Sequence, residues 1–274
     1  EQGRFLLYER VPEYWGRNLP VHRGRHNFDY LRYDYYRDGT VEREAFRKGL
    51  IDYREETDPR YWKNGYNIPA RDKGWIVMRR HNHGNYIGVA RGLAINTRRE
   101  NLKDVRVREA LTLAFDYDWY RQNITQDFYQ RPESYFAQSK FSATGVPDAA
   151  EHALLAPFVD QLPTRLFTEP FKLARFLGGG RNRDALLRAR ELLQECGWQV
   201  IDGVLRNAMS QPFSLSFVVR SIDERRSVMQ YVDQLQRLGF ETRIRMVETS
   251  QYLNILKDFD FDIAVGRYTT AQPP

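Results

Sequence analysis

The stretch from Phe213 to Val265 constrains the fold more than any other part of the chain. Phe213, Leu215, Phe217 and Val219 alternate along the sequence, the period of a strand with one buried face. Ser221 then opens a helical pattern in which Val228, Val232 and Leu235 share a face, and Gly239 stops it. Phe240 to Val247 reads as a second strand, Thr249 to Lys257 as a second helix, and Phe261 to Val265 as a third strand. An order of strand, helix, strand, helix, strand predicts right-handed crossovers and a sheet with parallel pairs. The fold class is α/β.

A second segment carries more local detail. Gly92-Leu93-Ala94-Ile95 reads as a short apolar strand, Asn96-Thr97-Arg98-Arg99 as a polar turn, and Asp104 as the start of a helix. The Asp104 carboxylate can accept a hydrogen bond from a free N–H of the first turn. Val107, Ala110, Leu111 and Ala114 then recur at helical spacing, giving one buried face. Helix continues to about Thr125 with a break near Asp116, which can end one helix and cap the next. From Gln126 to about Gly180 the chain is irregular and holds five of the twelve prolines. Loops of that length inside a domain are usually functional or poorly ordered. Asn182 then caps a helix that turns Leu186, Leu187, Ala189, Leu192, Leu193 and Cys196 inward and ends at Gly197.

The first part of the chain has a different rhythm. Phe5 to Glu9 reads as a strand, and Phe28 to Arg37 as another with Leu31, Tyr33 and Tyr35 on one half-buried face. Thr40 can cap a helix from Val41 to about Lys48, stopped by Gly49, and Ile51 to Arg54 reads as a short strand. The polar stretch Arg71 to Asn85 looks like a connection.

Composition narrows the function. The 274 residues carry 42 basic and 36 acidic side chains, a net charge of +6. Residues 1–90 hold 17 basic and 13 acidic groups and the remainder 25 and 23, so the excess is spread thin, without the basic block that nucleic-acid binding needs. No run of about 18 apolar residues exists, so no segment reads as a membrane-spanning helix. A single cysteine, Cys196, excludes an internal disulfide or a multi-cysteine metal site. It reads as a buried structural thiol.

The tempting catalytic motifs are incomplete. His81-Asn82-His83 lacks a nearby carboxylate or cysteine to complete a metal set. Gly178-Gly179-Gly180-Arg181 lacks the Gly-Lys-Ser/Thr ending of a phosphate loop. Asp116 and Asp118 are spaced by two, which points them apart on a helix. No catalytic residue, metal or cofactor is expected, and an enzyme is the weakest reading.

In their order, these segments resemble the family 5 solute-binding proteins, the extracytoplasmic receptors of oligopeptide-type ABC importers. The strand, Asn-Thr-Arg-Arg turn and Asp104-Val-Arg-Val-Arg-Glu-Ala-Leu111 run is the most recognisable part. Pro12-Glu13-Tyr14-Trp15-Gly16 is similar to the family's Asn-Pro-Asp-Tyr-Trp-Gly, with Val11-Pro12 in place of Asn-Pro. Leu19 to Asp29, Arg32 to Asp38 and Tyr129 to Phe136 resemble the YejA-like subgroup, associated with microcin C and other peptides. The resemblance runs from about Tyr8 to Asp262.

The resemblance implies a lobe of the class II periplasmic-binding-protein type with a mixed sheet, plus part of the adjoining first lobe. Residues 1–90 would belong to the first lobe and 91–266 to the second, with 267–274 starting the return to the first. Neither end resembles the family's ends, so the chain reads as an internal excerpt of a longer receptor. A peptide-like solute would be captured noncovalently in an interlobe cleft and delivered to an ABC permease of the inner membrane. The full-length receptor would be periplasmic and monomeric. An oligosaccharide or a peptidoglycan fragment remains an alternative solute, and a nucleic-acid-binding module an alternative of another class.

Such a receptor needs hydrogen-bonding strand edges, charged anchors and aromatic walls. Arg91 and Gly92 precede the hinge strand, where the subgroup has Gln-Gly-Phe-Val-Phe-Asn. A guanidinium can hold a carboxylate with two bonds, and glycine permits close backbone approach. Tyr129, Arg131, Ser134, Tyr135 and Phe136 occupy the irregular stretch where family members carry cleft-lining residues. Arg267 and Tyr268 follow the last strand at the second crossing, where related receptors present an aromatic. Against these stand plainer readings: an exposed surface arginine at Arg91, and a proline-turned loop with its aromatics packed inward.

Overall fold

The computed structural model describes residues 3–80, 87–173 and 183–270, with backbone alone at 87–90 and 267–270. Expectations for His81, His83, Gly178 to Gly180 and Asn182, and for the side chains of Arg267 and Tyr268, lie outside the described residues. The chain divides into two compact units, Glu1–Met78 and Arg79–Pro274.

In the first unit, strands β1 (Phe5–Glu9) and β2 (Tyr30–Asp34) form an antiparallel ribbon in which Phe5 faces Asp34 and Glu9 faces Tyr30. The half-buried face expected for β2 does not form. Leu31, Tyr33 and Tyr35 are 44%, 54% and 57% exposed, because a two-stranded ribbon has no second layer of its own to bury a face. Helix α1 (Gly39–Arg47) starts two residues earlier than the sequence suggests. Asp38 is its cap, accepting hydrogen bonds from the N–H groups of Thr40 at 2.6 Å and Val41 at 3.3 Å, whereas Thr40 lies inside the first turn. Gly49, at φ +74°, ends the helix as expected. Its N–H bonds to Phe46 O and that of Leu50 to Ala45 O, satisfying two orphan carbonyls.

Ile51 to Arg54 does not form a strand. Arg54 instead enters an ion network, reaching Glu42 at 3.0 Å and Glu56 at 2.5 Å. Tyr66 accepts a hydrogen bond from Arg54 and donates one to Glu56, while Arg43 lies 3.5 Å from the same carboxylate and over the Tyr61 ring. With Glu56 only 4% exposed, its charge is tolerable because two guanidiniums and a phenol surround it. A short helix α2 (Pro69–Asp72) follows.

The second unit is built on a four-stranded sheet. Its strands are β3 (Ile87–Ile95), β6 (Ser214–Val219), β7 (Glu241–Met246) and β8 (Ile263–Thr270), in the order β3-β8-β6-β7. β6 runs parallel to both β7 and β8, and β3 runs antiparallel to β8. The parallel pairing expected from the alternating pattern is present, and the sheet is mixed. Helices α3 (Val105–Ala114), α4 (Tyr117–Asn123), α5 (Ala149–Leu155), α6 (Arg165–Thr168), α7 (Arg183–Glu195), α8 (Ile222–Arg237) and α9 (Thr249–Lys257) connect it.

Alternation along the strands divides the core between two faces. Leu215, Phe217 and Val219 of β6 join Ile263 and Val265 of β8 in one cluster with Val107, Ala110 and Leu111 of α3, Ala189, Leu192 and Leu193 of α7, and Val228, Val232 and Leu235 of α8. Val218 and Ala264 point the other way, to Tyr252 and Ile255 of α9 and to Phe261. Each large side chain buried in this way contributes roughly 1.5–3 kcal/mol. The helix starts are legible in the sequence: Asp104 accepts from Arg106 N–H at 2.9 Å, Asp116 from Trp119 N–H at 2.9 Å and Ser221 from Glu224 N–H at 3.1 Å.

Two features have no counterpart in the sequence reading. A hairpin joins β4 (Gln199–Ile201) to β5 (Val204–Arg206). Its turn residues Asp202 and Gly203 sit at φ +51° and +78°, as a two-residue hairpin with this twist demands. The irregular stretch also holds more order than its prolines suggest. In α5, Asp148 and Glu151 form a reciprocal capping box.

Candidate functional site

The strand pairing brings one end of the sheet into focus. Phe217 faces Ile263 and Val218 faces Ala264. Carrying that register two residues on places Arg220, just past β6, at the height of Gly266. Gly266 in turn pairs with Gly92. Ligands of open α/β sheets bind beyond the carboxyl ends of parallel strands, and this is that end for β6.

Arg91 stands there because β3 is irregular. Val89 faces Tyr268 and Gly92 faces Gly266, so Ala90 and Arg91 together stand opposite Arg267 alone. One extra residue in a strand bends it and re-aims a side chain, which is why such bulges gather beside functional sites. The Arg91 guanidinium reaches Ser227 Oγ of α8 at 3.5 Å. Among the described residues, no carboxylate forms an ion pair with it. Ser227 is buried and gives its own proton to Glu224 O at 2.7 Å.

The neighbouring Arg220 is arranged differently. It bonds Glu224 through its side chain and its backbone N–H, both at 2.9 Å, and lies 5.3 Å over the Tyr252 ring. Ser221 and Glu224 thus form one half of a capping box, with Arg220 completing it. A Ser-x-x-Glu spacing before an apolar run signals this arrangement. The charge of Arg220 is paired with Glu224; Arg91 is exposed and bonds only a hydroxyl among the described residues.

Helix α4 supplies aromatic surface next to Arg91. The Tyr120 phenol is pushed up by burial, while the positive charge of Arg91 pulls it down and Tyr129 adds slightly to the rise. Tyr117 is likewise raised by burial and opposed by Arg121 and Arg131. Its hydroxyl donates to Tyr129 O at 3.1 Å, and the Arg131 guanidinium lies 5.4 Å from its ring centre. Burial lowers the pKa of Arg131, with Tyr117, Asp118 and Glu133 acting against it. Of the sequence candidates, the fold therefore gathers Arg91, Tyr129 and Arg131 around Tyr117 and Tyr120, with Gly92 in the adjoining ladder.

The other candidates sit apart in role. Ser134 Oγ accepts from the N–H groups of Phe136 at 3.2 Å and Ala143 at 3.1 Å, so it shapes the loop. Phe136 packs edge-on against Phe141, whereas Tyr135 is 88% exposed. Arg267 and Tyr268 are placed by backbone only, within β8 opposite the bulge. Tyr117, Tyr120 and Ser227 escaped the sequence reading. The i, i+3 spacing of the two tyrosines behind the Asp116 cap is the signal that could have found the first two.

A concavity of about 160 Å³ lies at the opposite end of the sheet, between Arg99, Leu102, Phe213, Ser214 and Asp262. Arg99 there is already held by Asp260 at 2.9 Å and Asp262 at 3.3 Å. Its arginine is already paired with two carboxylates, which makes it a weaker candidate than the Arg91 end.

A mixed sheet with helices on both faces, and strand ends converging on an arginine and tyrosine cluster, defines a lobe of the periplasmic-binding-protein type. Residues 1–274 match the bacterial extracellular solute-binding proteins, family 5 middle, and the chain belongs to that family. It is 40% identical over 265 residues to the uncharacterized protein YejA of Escherichia coli strain K12, covering 96% of this chain and 44% of that one. The probable peptide-binding protein YejA of Agrobacterium fabrum is 30% identical over 274 residues, with 99% and 45% covered. Among solved structures, the oligopeptide-binding protein AppA of Bacillus subtilis in complex with a nonapeptide superposes with a TM-score of 0.68 at 17% identity, covering 99% of this chain and 45% of that one. The chain thus spans a little under half the length of the relatives it matches.

Proposed function

We propose that this chain forms the solute-contacting part of a receptor that captures a peptide-like molecule and hands it to an ABC importer across the inner membrane. Binding is noncovalent and no bond of the solute changes. The single observation that supports this most is Arg91: a guanidinium turned out by a strand bulge, without a carboxylate partner among the described residues, beside the half-buried Tyr120. An arginine so placed suits the carboxylate of a peptide end or of an acidic side chain, since a charge-assisted bond is about twice as strong as a neutral one. Tyr117, Tyr120 and Tyr129 offer flat apolar faces with polar edges, against which a solute can pack. The family is one of carriers, and nothing in this cluster pairs a nucleophile with a base. The division into parts of two lobes, at residues 1–90 and 91–266, and an extracytoplasmic location belong to the same reading.

Calorimetric titration of the protein carrying this chain tests it. Short peptides with a free carboxyl end should bind, and the same peptides amidated at that end should bind more weakly. Equal affinity for both forms would remove Arg91 from the role. Heat only from peptidoglycan fragments or oligosaccharides would move the solute to another class.

A further inference from the structure

Outside this cluster, the first unit holds a pair of imidazoles to which the solute-binding reading gives no task. The segment Tyr14 to Asn27 folds on itself through short turns, with Leu19 N–H bonded to Gly16 O and His22 N–H to Leu19 O. The chain then reverses between His22 and Arg25. Arg25 N–H bonds to His22 O at 3.0 Å, and Gly24 takes φ +75° at the third turn position, the left-handed conformation that favours glycine there. This reversal, with His26 itself at φ +57°, returns the His26 ring to the His22 ring. Their centres are 5.7 Å apart and their planes 37° apart.

Tyr14 closes the third side. Its ring stands edge-on to His22 at 5.5 Å and to His26 at 6.2 Å, and its hydroxyl is 3.4 Å from His22 Nε2. Gly16 makes room for that ring, since a Cβ there would come within 2.7 Å of it. His22 Nδ1 is buried without a hydrogen-bond partner. A buried polar atom left unpaired costs free energy and calls for an ion or a water to explain it.

We propose that His22, through its unpaired Nδ1, and His26 form a site for a late first-row divalent cation such as Zn²⁺, Ni²⁺ or Cu²⁺, with the Tyr14 hydroxyl holding the other nitrogen of His22. Imidazole is the ligand type these ions share. Two imidazoles bound to one ion through bonds of about 2.0–2.1 Å place their ring centres roughly 5–6 Å apart, which the observed separation matches. No group of three or more His, Cys, Asp or Glu side chains that could hold a metal occurs among the described residues. The site therefore offers two imidazole nitrogens, and water completes the coordination of the ion without a closed protein cage. An ion there would tie the two ends of the His22–His26 reversal together.

The test uses the whole chain and Zn²⁺ alone. Equilibrium dialysis should retain one Zn²⁺ per chain, and His22→Gln or His26→Asn should each weaken retention at least about tenfold, since loss even of an outer partner of a ligand costs about 10–100-fold. The double variant His81→Gln with His83→Gln should leave it unchanged. Imidazole ¹⁵N resonances of the wild-type chain give a readout independent of any substitution: those of His22 and His26 should move on adding Zn²⁺, and that of His152 should not. No retained Zn²⁺, retention lost only in the His81 and His83 variant, or movement confined to the other histidines would each overturn the proposal.

Discussion

Gly239 lies back to back with Leu205: the Leu205 N–H donates to Gly239 O at 2.8 Å, and a Cβ on Gly239 would come within 2.8 Å of that same Leu205 nitrogen. The glycine also holds φ +94°, a conformation in which other residues are strained. It ends α8, turns the chain into β7 and docks the β4–β5 hairpin in one step.

Gly239→Ala should accordingly destabilise the second unit by roughly 1–3 kcal/mol, through strain at a left-handed position and the backbone clash together. The urea midpoint, read with an unchanged slope, measures it. A midpoint equal to that of the parent chain would show that the hairpin moves aside freely.

Arg91→Ala should weaken a carboxylate-bearing peptide about tenfold or more, from roughly 1.5 kcal/mol for one hydrogen bond to a charged group. Because Arg91 is exposed, the low end of the range applies, and added salt should shrink the difference. Arg267→Ala is expected to act in the same direction from the opposite strand. Calorimetry showing unchanged affinity for both variants would remove the pair from the site.

Acid should loosen the start of α3. Hydrogen bonds from the Arg106 side chain and backbone N–H hold the Asp104 carboxyl well below the usual carboxylate range. With the folded-state pKa lowered, the contribution to stability is fully present above about pH 4, the unfolded value, and is lost as pH falls through the folded one. Asp104→Ala should cost about 0.5–2 kcal/mol at neutral pH, as for other helix caps. The difference between variant and parent should narrow only in strong acid. Denaturant midpoints at pH 7 and pH 2.5 check this; a gap that closes already near pH 5 would contradict it.

Cys196 is half-buried rather than buried as the sequence suggests, and it should still react slowly with a thiol reagent. Burial raises its pKa, and the Asp104 carboxylate next to it raises it further, so little of the reactive thiolate is present at neutral pH. Alkylation should speed up on unfolding, and more modestly in Asp104→Asn. Labelling of the folded chain as fast as that of the unfolded one would refute the assignment.

Much of the second unit was legible in the sequence because its elements carry their own signals. Asp104, Asp116 and Ser221 each sit one position before a helix and cap it. The alternation from Leu215 to Val219 marks the strand, and the intervening helices imply its parallel neighbours. The first unit was less legible for the opposite reason. Arg54 lies in a stretch that reads as a strand, yet its guanidinium is drawn to Glu42 and Glu56, and the ion network replaces the ladder. Asp38 and Thr40 are both good capping residues by type, and only the backbone conformation makes Asp38 the cap of α1.

The sequence by itself determined the α/β class, the caps of α3, α4 and α8, and the membership pattern that runs from the Tyr14-Trp15-Gly16 segment to Asp262, since each rests on neighbours a few residues apart. Tertiary structure alone decided which of two similar arginines pairs with a carboxylate among the described residues. Arg91, inside β3, and Arg220, just past β6, are alike as residue types. Arg220 has Glu224 four positions on, in the first turn of the helix that follows it, whereas the nearest partner of Arg91 is Ser227, 136 positions away, and a one-residue bulge sets its direction. The imidazole pair shows the same division. His22 and His26 are visible as residues, but whether rings four apart meet depends on a reversal through Gly24 and on a tyrosine folded back from Tyr14. Local signals fix elements because they act within a turn of helix or a step of strand. Which side chains share a site depends on how those elements pack, and no short-range pattern encodes that.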